Sequence, residues 1–317
     1  MRSYKDYIGK NKLKARFGIK YLDDNFTGIL EDDFWLIGAR SGAGKSTIAD
    51  IIATHNAKEG KRVTLISLEN FEGDLETQKA YYIYKAITKN YDITLRDFKA
   101  GLFEYNEDAL NSAFSKAFKV YKGINIIYNS GDYKIEDLHN DIIRAANKTQ
   151  SDLLIIDHLD YLDKDNPSES ELTHITKLVK EIRDTQRVNH IPIIGISHLR
   201  KPPTLGKQAN IIVPSVDEFI GSSNKYKQAT GAILLAPDDE ENFATQNNLK
   251  STWCCVRKLR MGGIDNRAAK IVFDTKTGQY KDEYTIYGVN YAGTKVNKIF
   301  GEQKKIIEYK NYTDTDI

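Results

Sequence analysis

The chain has 317 residues, 40% of them hydrophobic, which suits one large domain with a substantial core. The formal net charge is only +2, so overall charge does not identify a nucleic-acid or membrane partner, and any DNA-binding surface must be local. The two cysteines, Cys254 and Cys255, are adjacent, and strand neighbours point to opposite faces, which excludes a zinc module and a disulfide between them.

The chain ends carry weak structural signals. Residues 1–17 are rich in lysine and arginine and poor in apolar residues, which predicts a short arm or linker. The main domain is predicted over residues 18–285, and the fading apolar pattern predicts a tail over 286–317. We find no signal peptide and no bilayer-spanning run, so we expect no membrane partner and a cytoplasmic location, either in a cell or for a phage or plasmid protein in its host.

A phosphate-binding loop separates an apolar run at 34–37 from a helical pattern that starts at Lys45. Glycines let several backbone N–H groups converge, and the helix N-terminus adds its positive dipole. The Lys45 ammonium can reach the β- and γ-phosphates, and the Ser46 hydroxyl can ligate Mg²⁺. We therefore predict that the nucleotide is bound by Ala39, Arg40, Ser41, Gly42, Ala43, Gly44, Lys45, Ser46 and Thr47. Ala39 stands where the pattern usually has a glycine, and a small residue suffices there.

The run at 62–67 predicts a second strand, and Glu69 follows its carboxyl end. Ligands of open α/β sheets bind at that edge, where a carboxylate can polarise the water that attacks the γ-phosphate. A solvated acid at a helix start is the alternative, and the neighbouring phosphate-binding loop favours catalysis by Glu69.

A second acid follows a buried strand further along the chain. Residues 71–121 look helical, 124–128 predict a third strand, and 133–148 predict an amphipathic helix. The apolar run at 153–156 then ends in Asp157. A carboxylate at a strand tip is the expected partner of a phosphate-binding loop, so we predict ATP and Mg²⁺ as ligands, with Ser46 and Asp157 on the metal side.

The last predicted parallel strand delivers His198, after a helix at 172–189 and an apolar run at 191–196. A polar residue at this tip can sense the γ-phosphate and pass the signal to the loop at about 200–216. A basic loop binds a phosphate backbone or is simply solvated, and the pattern alone leaves both open. The candidate DNA ligands are Arg200, Lys201, Lys207, Lys225 and Lys227.

The remaining strands predict a β-hairpin with a basic end. Runs at 231–236, 252–256 and 268–273 alternate with polar turns, and the middle run leads into Lys258 and Arg260. Taken alone, these two cations are equally typical of a basic hairpin that faces solvent.

Five motifs occur in one order: the phosphate-binding loop, Ser67-Leu68-Glu69, the strand ending in Asp157, Ser197-His198-Leu199 and Lys258-Leu259-Arg260. This series, over roughly residues 17–283, resembles the RecA-like motor domain of DnaB-type (superfamily 4) replicative helicases. Its motifs are closest to the helicase half of phage primase–helicases and of mitochondrial Twinkle. The resemblance implies an α/β fold: a RecA-like P-loop ATPase core whose mostly parallel central sheet is flanked by helices, with a C-terminal β-hairpin extension.

The resemblance also implies residue roles. Lys45 would bind phosphate, Glu69 would activate water, and His198 would sense the γ-phosphate. Arg260, with Lys258 beside it, would be an arginine finger that acts on the nucleotide of a neighbouring subunit. The implied assembly is a hexamer around single-stranded DNA that moves 5′ to 3′, unwinds forked duplex, and meets a primase, polymerase or loader.

Two other functions remain open from sequence. A RecA-like ATPase that is not a motor, such as a recombination mediator, a helicase loader or an assembly switch, would change its assembly with nucleotide without unwinding DNA. A P-loop kinase would phosphorylate a small acceptor, and the position of Arg260 far along the chain argues against it.

Overall fold

The structure is a computed structural model that describes residues 11–128, 131–200, 213–219, 222–239, 241–242, 248–260, 267–290 and 296–298. Its α-helices are α1 (Lys20–Asn25), α2 (Lys45–Lys58), α3 (Asp74–Thr88), α4 (Leu95–Ala100), α5 (Glu107–Tyr121), α6 (Ile135–Asn147), α7 (Glu171–Asn189) and α8 (Ser222–Gln228). Its strands are β1 (Leu13–Ala15), β2 (Ile29–Leu30), β3 (Phe34–Ala39), β4 (Val63–Ser67), β5 (Ile124–Tyr128), β6 (Leu153–Asp157), β7 (Ile193–His198), β8 (Gly231–Pro237), β9 (Leu249–Leu259), β10 (Arg267–Asp274), β11 (Gln279–Val289) and β12 (Val296–Lys298).

Within these described residues, ten strands form one sheet in the order β12-β11-β10-β9-β8-β3-β7-β6-β4-β5. The strands from β8 to β5 run parallel, whereas β9 to β12 continue the sheet in antiparallel pairs. The predicted α/β class with a mostly parallel sheet and a β extension is confirmed. The extension is larger than one hairpin, because β11 and β12 pair beyond β10.

Helices cover both faces of the parallel part of the sheet. On one face, α2 packs Ile48 and Ile52 into a core that includes Ile37 of β3. On the other face, α6 and α7 bury Leu138 and Ile182 in a second core. Burial on both faces explains why these strands are continuous apolar runs rather than alternating patterns.

The predicted helical stretch between the second and third strands is divided into α3, α4 and α5. Thr94 and Asn106 mark where new helices begin, because their side chains accept hydrogen bonds from Asp97 N and Ala109 N as N-caps. Aromatic side chains join these helices in a small separate cluster around Phe98. This cluster lies apart from the sheet edge that holds the predicted site.

The predicted chain ends are partly described. β1 lies within the arm expected at 1–17, and Phe17 is fully buried, whereas residues 1–10 lie outside the described residues. At the other end, β11 continues past 285 to Val289, and most of the expected tail lies outside the described residues. The three-part division stays a prediction. No helix in the described ranges is long and apolar enough to cross a bilayer.

Candidate nucleotide site

Four parallel strands bring the predicted site residues to one edge of the sheet. Ala39 at the end of β3 pairs with His198 at the end of β7. Ser67, two residues before Glu69, pairs with Asp157 at the end of β6. The carboxyl ends of β3, β4, β6 and β7 therefore share the edge at which α/β sheets bind ligands.

The phosphate-binding loop has the backbone that its glycines predict. Gly42 and Gly44 have φ angles of +79° and +82°, a left-handed conformation that strains other residues. Gly44 is the N-cap of α2, so Lys45 begins a 14-residue helix. The first N–H groups of that helix have no acceptor within it, which makes the loop an anion site.

The loop is fastened to a distant segment through Arg40. Its Nε and Nη2 atoms each lie 2.8 Å from a carboxylate oxygen of Glu218, in the 3₁₀ helix Val216–Glu218. The Arg40 guanidinium is thus engaged within the chain, and its predicted contact with nucleotide is left to the backbone. This two-bond geometry is the strongest form of an arginine–carboxylate pair.

Asp157 has the environment of a cation ligand. Its side chain is 2% exposed, and its buried Oδ1 atom has no hydrogen-bond partner among the described residues. Burial raises the pKa of Asp157, and the Ser46 hydroxyl, His158 and Lys45 act in the opposite direction. A cation between Asp157 and Ser46 would supply the missing partner, so these residues fit Mg²⁺. In the described residues, no group of three or more His, Cys, Asp or Glu is placed to hold a metal, and Mg²⁺ bound with phosphates needs only one or two carboxylates.

His158, to which the sequence assigned no role, lies between two predicted catalytic residues. Its Nε2 atom is 3.0 Å from Nε2 of His198 and 3.7 Å from a carboxylate oxygen of Glu69. One imidazole therefore donates to the other. Burial, Lys45 and His158 lower the pKa of His198. The position of His158 directly after the strand-tip acid Asp157 was the available signal.

Asp160 organises the next layer of the site. Its carboxylate accepts hydrogen bonds from the Ser197 hydroxyl at 3.0 Å, from the backbone N–H of His198 at 2.6 Å and from Lys225 Nζ at 2.5 Å. Burial alone would raise its pKa, but the bonds from His158, Lys225 and the His198 N–H hold the pKa of Asp160 well below its usual range. A buried carboxylate requires such a counterion.

This arrangement corrects one prediction. Lys225 is 0% exposed, so the interpretation of Lys225 as a DNA ligand is wrong. The physical reason is that its ammonium neutralises the buried Asp160 instead of facing solvent.

Arg260 lies at the opposite edge of the sheet from the phosphate-binding loop of its own chain. β9 runs antiparallel to β8, and the backbone N–H of Arg260 donates to Thr230 O. Thr230 N in turn donates to Phe34 O at the start of β3, whereas the loop follows the end of β3. A strand of this length places the two edges roughly 17–20 Å apart.

The family model of the DnaB-like helicase C-terminal domain matches residues 15–282. The chain belongs to the DnaB-like helicase C-terminal-domain family. It is an ATP-hydrolysing DNA helicase domain of the replicative type. No sequence among the curated proteins matches it.

Two solved structures share the fold of this DnaB-like domain. The first is the isolated ATPase domain of a DnaB-like replicative helicase, which superposes with a TM-score of 0.70 and 18% identity, covering 87% of this chain and 94% of that one. The second is a DnaB-like replicative helicase that was solved for its interactions with primase. It has the same TM-score and identity, and this chain spans 64% of its length.

The remaining basic residues of the DnaB-like domain fall into two groups. Arg200 and Lys227 are exposed, whereas Lys201 and Lys207 lie outside the described residues. Lys258 and Arg260 donate to main-chain carbonyls at the end of α8, with Arg260 Nη2 2.7 Å from Lys227 O. Burial, Arg260 and Arg183 lower the pKa of Lys258 to about 8. The sequence did not single out Arg183, which is buried in α7.

Proposed function

We propose that this chain hydrolyses MgATP at the interface between two copies of itself. The observation that supports this proposal is the separation of Arg260 from its own phosphate-binding loop, which are at opposite edges of one sheet. A side chain roughly 17–20 Å away cannot contact the γ-phosphate of its own copy. A second copy that packs edge to edge presents Arg260, with Lys258 behind it, to that phosphate. The nucleotide site is then complete only in an oligomer.

Within the site, each residue has a distinct task. The loop N–H groups and Lys45 bind the phosphates, and neutral His198 donates a hydrogen bond to the γ-phosphate. Glu69 takes the proton from the attacking water as the bond from its oxygen to the γ-phosphorus forms. The bond between that phosphorus and the bridging oxygen breaks, and ADP leaves. Ser46 and Asp157 would hold Mg²⁺, which neutralises phosphate charge when bound.

We further propose the assembly and its track. Six copies form a ring around single-stranded DNA, and the ring moves 5′ to 3′ and unwinds forked duplex in the cytoplasm. Arg200 and Lys227 are exposed and basic, as phosphate contacts require. A primase, polymerase or loader is the expected replication partner.

Mixing two inactive variants tests the shared site. Lys45→Ala retains its finger but cannot bind phosphate, and Arg260→Ala retains its binding site but has no finger. Random mixing at equal amounts gives a competent pair at about a quarter of the interfaces of a ring, so hydrolysis should return to about that fraction. Arg96→Ala removes an exposed arginine on α4 and should hydrolyse ATP normally by itself. Absence of restored hydrolysis at every mixing ratio would contradict the shared site, and ATP turnover without unwinding of a forked duplex would contradict the motor.

A further inference from the structure

Lys225 is a buried cation that the proposed chemistry leaves unused. Its Nζ atom lies 2.5 Å from Asp160 Oδ1 and 2.9 Å from Ser197 Oγ, and its side chain is 0% exposed. Both partners contact His198 or are adjacent to it, because Asp160 accepts the backbone N–H of His198 and Ser197 precedes it. The ammonium of Lys225 is therefore anchored directly behind the γ-phosphate side of the site.

The helix that carries Lys225 crosses the sheet from one edge to the other. Before α8, Phe219 forms a β-bridge with Leu199 at the nucleotide edge. After α8, Thr230 N donates to Phe34 O at the opposite edge. α8 therefore connects the two edges that the shared site requires to act together.

The far end of α8 holds the finger. The main-chain oxygen of Lys227 accepts from Arg260 Nη2 at 2.7 Å and from Lys258 Nζ at 3.2 Å. The Tyr226 hydroxyl donates to Arg257 O at 2.9 Å. Cations at a helix C-terminus are stabilised by the helix dipole, so Arg260 and the end of α8 move together.

We propose that Lys225 is a positioning residue that couples the nucleotide site of one copy to the finger that the same copy gives to its neighbour. The proposal rests on the proposed action of Arg260 on a neighbouring nucleotide. A shift of His198 on loss of the γ-phosphate moves Asp160 through its backbone bond. Lys225 and α8 follow, because separating a buried ion pair leaves an unpaired charge. The occupancy of one site thereby sets the placement of Arg260 in the next.

A donor–acceptor mixture isolates this coupling from any local effect of Lys225. The acceptor carries Arg260→Ala and hydrolyses only with a finger from its neighbour. The donor carries Lys45→Ala, so its own site is already inactive and any further substitution there acts only through the finger. A donor with Lys45→Ala and Lys225→Met should restore at least tenfold less hydrolysis than Lys45→Ala alone. The loss should be in kcat, with the KM for ATP unchanged, because the acceptor site binds nucleotide as before.

Controls separate coupling from damage to the fold. Lys85 is a second buried lysine, whose Nζ donates to Tyr81 Oη and Thr275 O away from the site, so a donor with Lys45→Ala and Lys85→Met should restore hydrolysis fully. Mass photometry should find the same ring size for each donor. If Lys225→Met does not fold, Asp160→Asn with Lys225→Met removes both buried charges, and the same loss is expected.

The outcomes are distinct. If a folded donor that lacks Lys225 restores as much hydrolysis as Lys45→Ala alone, Lys225 does not position the finger. If Lys45→Ala and Arg260→Ala do not complement each other at all, the shared site itself fails, and the coupling fails with it.

Discussion

Arg40 and Glu218 form a two-bond ion pair, with both N···O distances at 2.8 Å, that joins the phosphate-binding loop to a segment 178 positions later in the chain. Glu218 is 4% exposed, and its Oε1 atom also accepts the backbone N–H of Ser215. Its main-chain oxygen accepts the N–H of Arg200, which follows β7 by two positions. The nucleotide loop is thus fastened to the backbone around the candidate DNA ligand Arg200.

Breaking this pair should cost substantial stability. Glu218→Gln retains the side-chain shape but leaves the Arg40 charge largely buried without its partner, so the free energy of unfolding should fall by about 2–4 kcal/mol. Urea denaturation followed by circular dichroism measures the change. The exposed pair Lys20–Asp24 is the control, because Lys20→Met should cost less than about 1 kcal/mol. Equal effects of the two substitutions would show that the Arg40 pair has no special weight.

Glu69 should be required for hydrolysis and not for nucleotide binding. Glu69→Gln removes the proton acceptor, so kcat should fall by roughly 10²–10⁴-fold while the Kd for a fluorescent ATP analogue stays unchanged. Glu72 is an exposed acid three positions later, and Glu72→Gln should hydrolyse ATP normally. Similar rates in the two variants would remove Glu69 from the mechanism.

Asp157 should determine the response to Mg²⁺. Chelation by excess EDTA should abolish hydrolysis by the unmodified chain, and Asp157→Asn should lower kcat by roughly 10²-fold and raise the Mg²⁺ concentration needed. Asp152 precedes the same strand at its other end and accepts the backbone N–H of Arg62. Asp152→Asn should therefore leave the Mg²⁺ dependence unchanged. An unaltered Mg²⁺ titration for Asp157→Asn would exclude it as the metal-side acid.

The Lys258 amine should lose its proton near pH 8. Burial and the neighbouring charges of Arg260 and Arg183 lower its pKa to about 8, whereas the hydrogen bond to Asp24 raises the pKa of Lys20. Reductive ¹³C-methylation and NMR titration of the isolated chain should separate the two signals, and Lys258→Met identifies the lower one. In the assembled form with ATP, a phosphate beside Lys258 should raise its titration midpoint; no change on assembly would argue against that contact.

The same pKa shift has a consequence for stability. Between the folded pKa of about 8 and the ordinary value of 10.5, the unfolded chain retains a proton that the folded chain has lost. The Lys258 contribution to the free energy of unfolding should therefore increase with pH across this window. Denaturation at pH 7.5 and pH 9.5 should show a smaller increase in Lys258→Met than in the unmodified chain.

The sequence by itself determined the class of the fold and the edge at which the site is built. Apolar runs that end in Asp157 or His198, and the glycine-rich turn before Lys45, are local patterns. The carboxyl ends of parallel strands share one edge, so these local patterns suffice to bring the residues together. The roles of these residues stay proposals that the experiments above test.

Only the tertiary structure decided which charges face each other. A count of lysines treats Lys225 as part of a basic loop, because nothing near it in sequence shows that the buried Asp160, 65 positions away, requires its charge. The place of His158 between Glu69 and His198 likewise depends on two neighbouring strands meeting. The separation of Arg260 from its own phosphate-binding loop depends on the direction of β9, which hydrogen bonding to β8 sets and which local sequence does not encode.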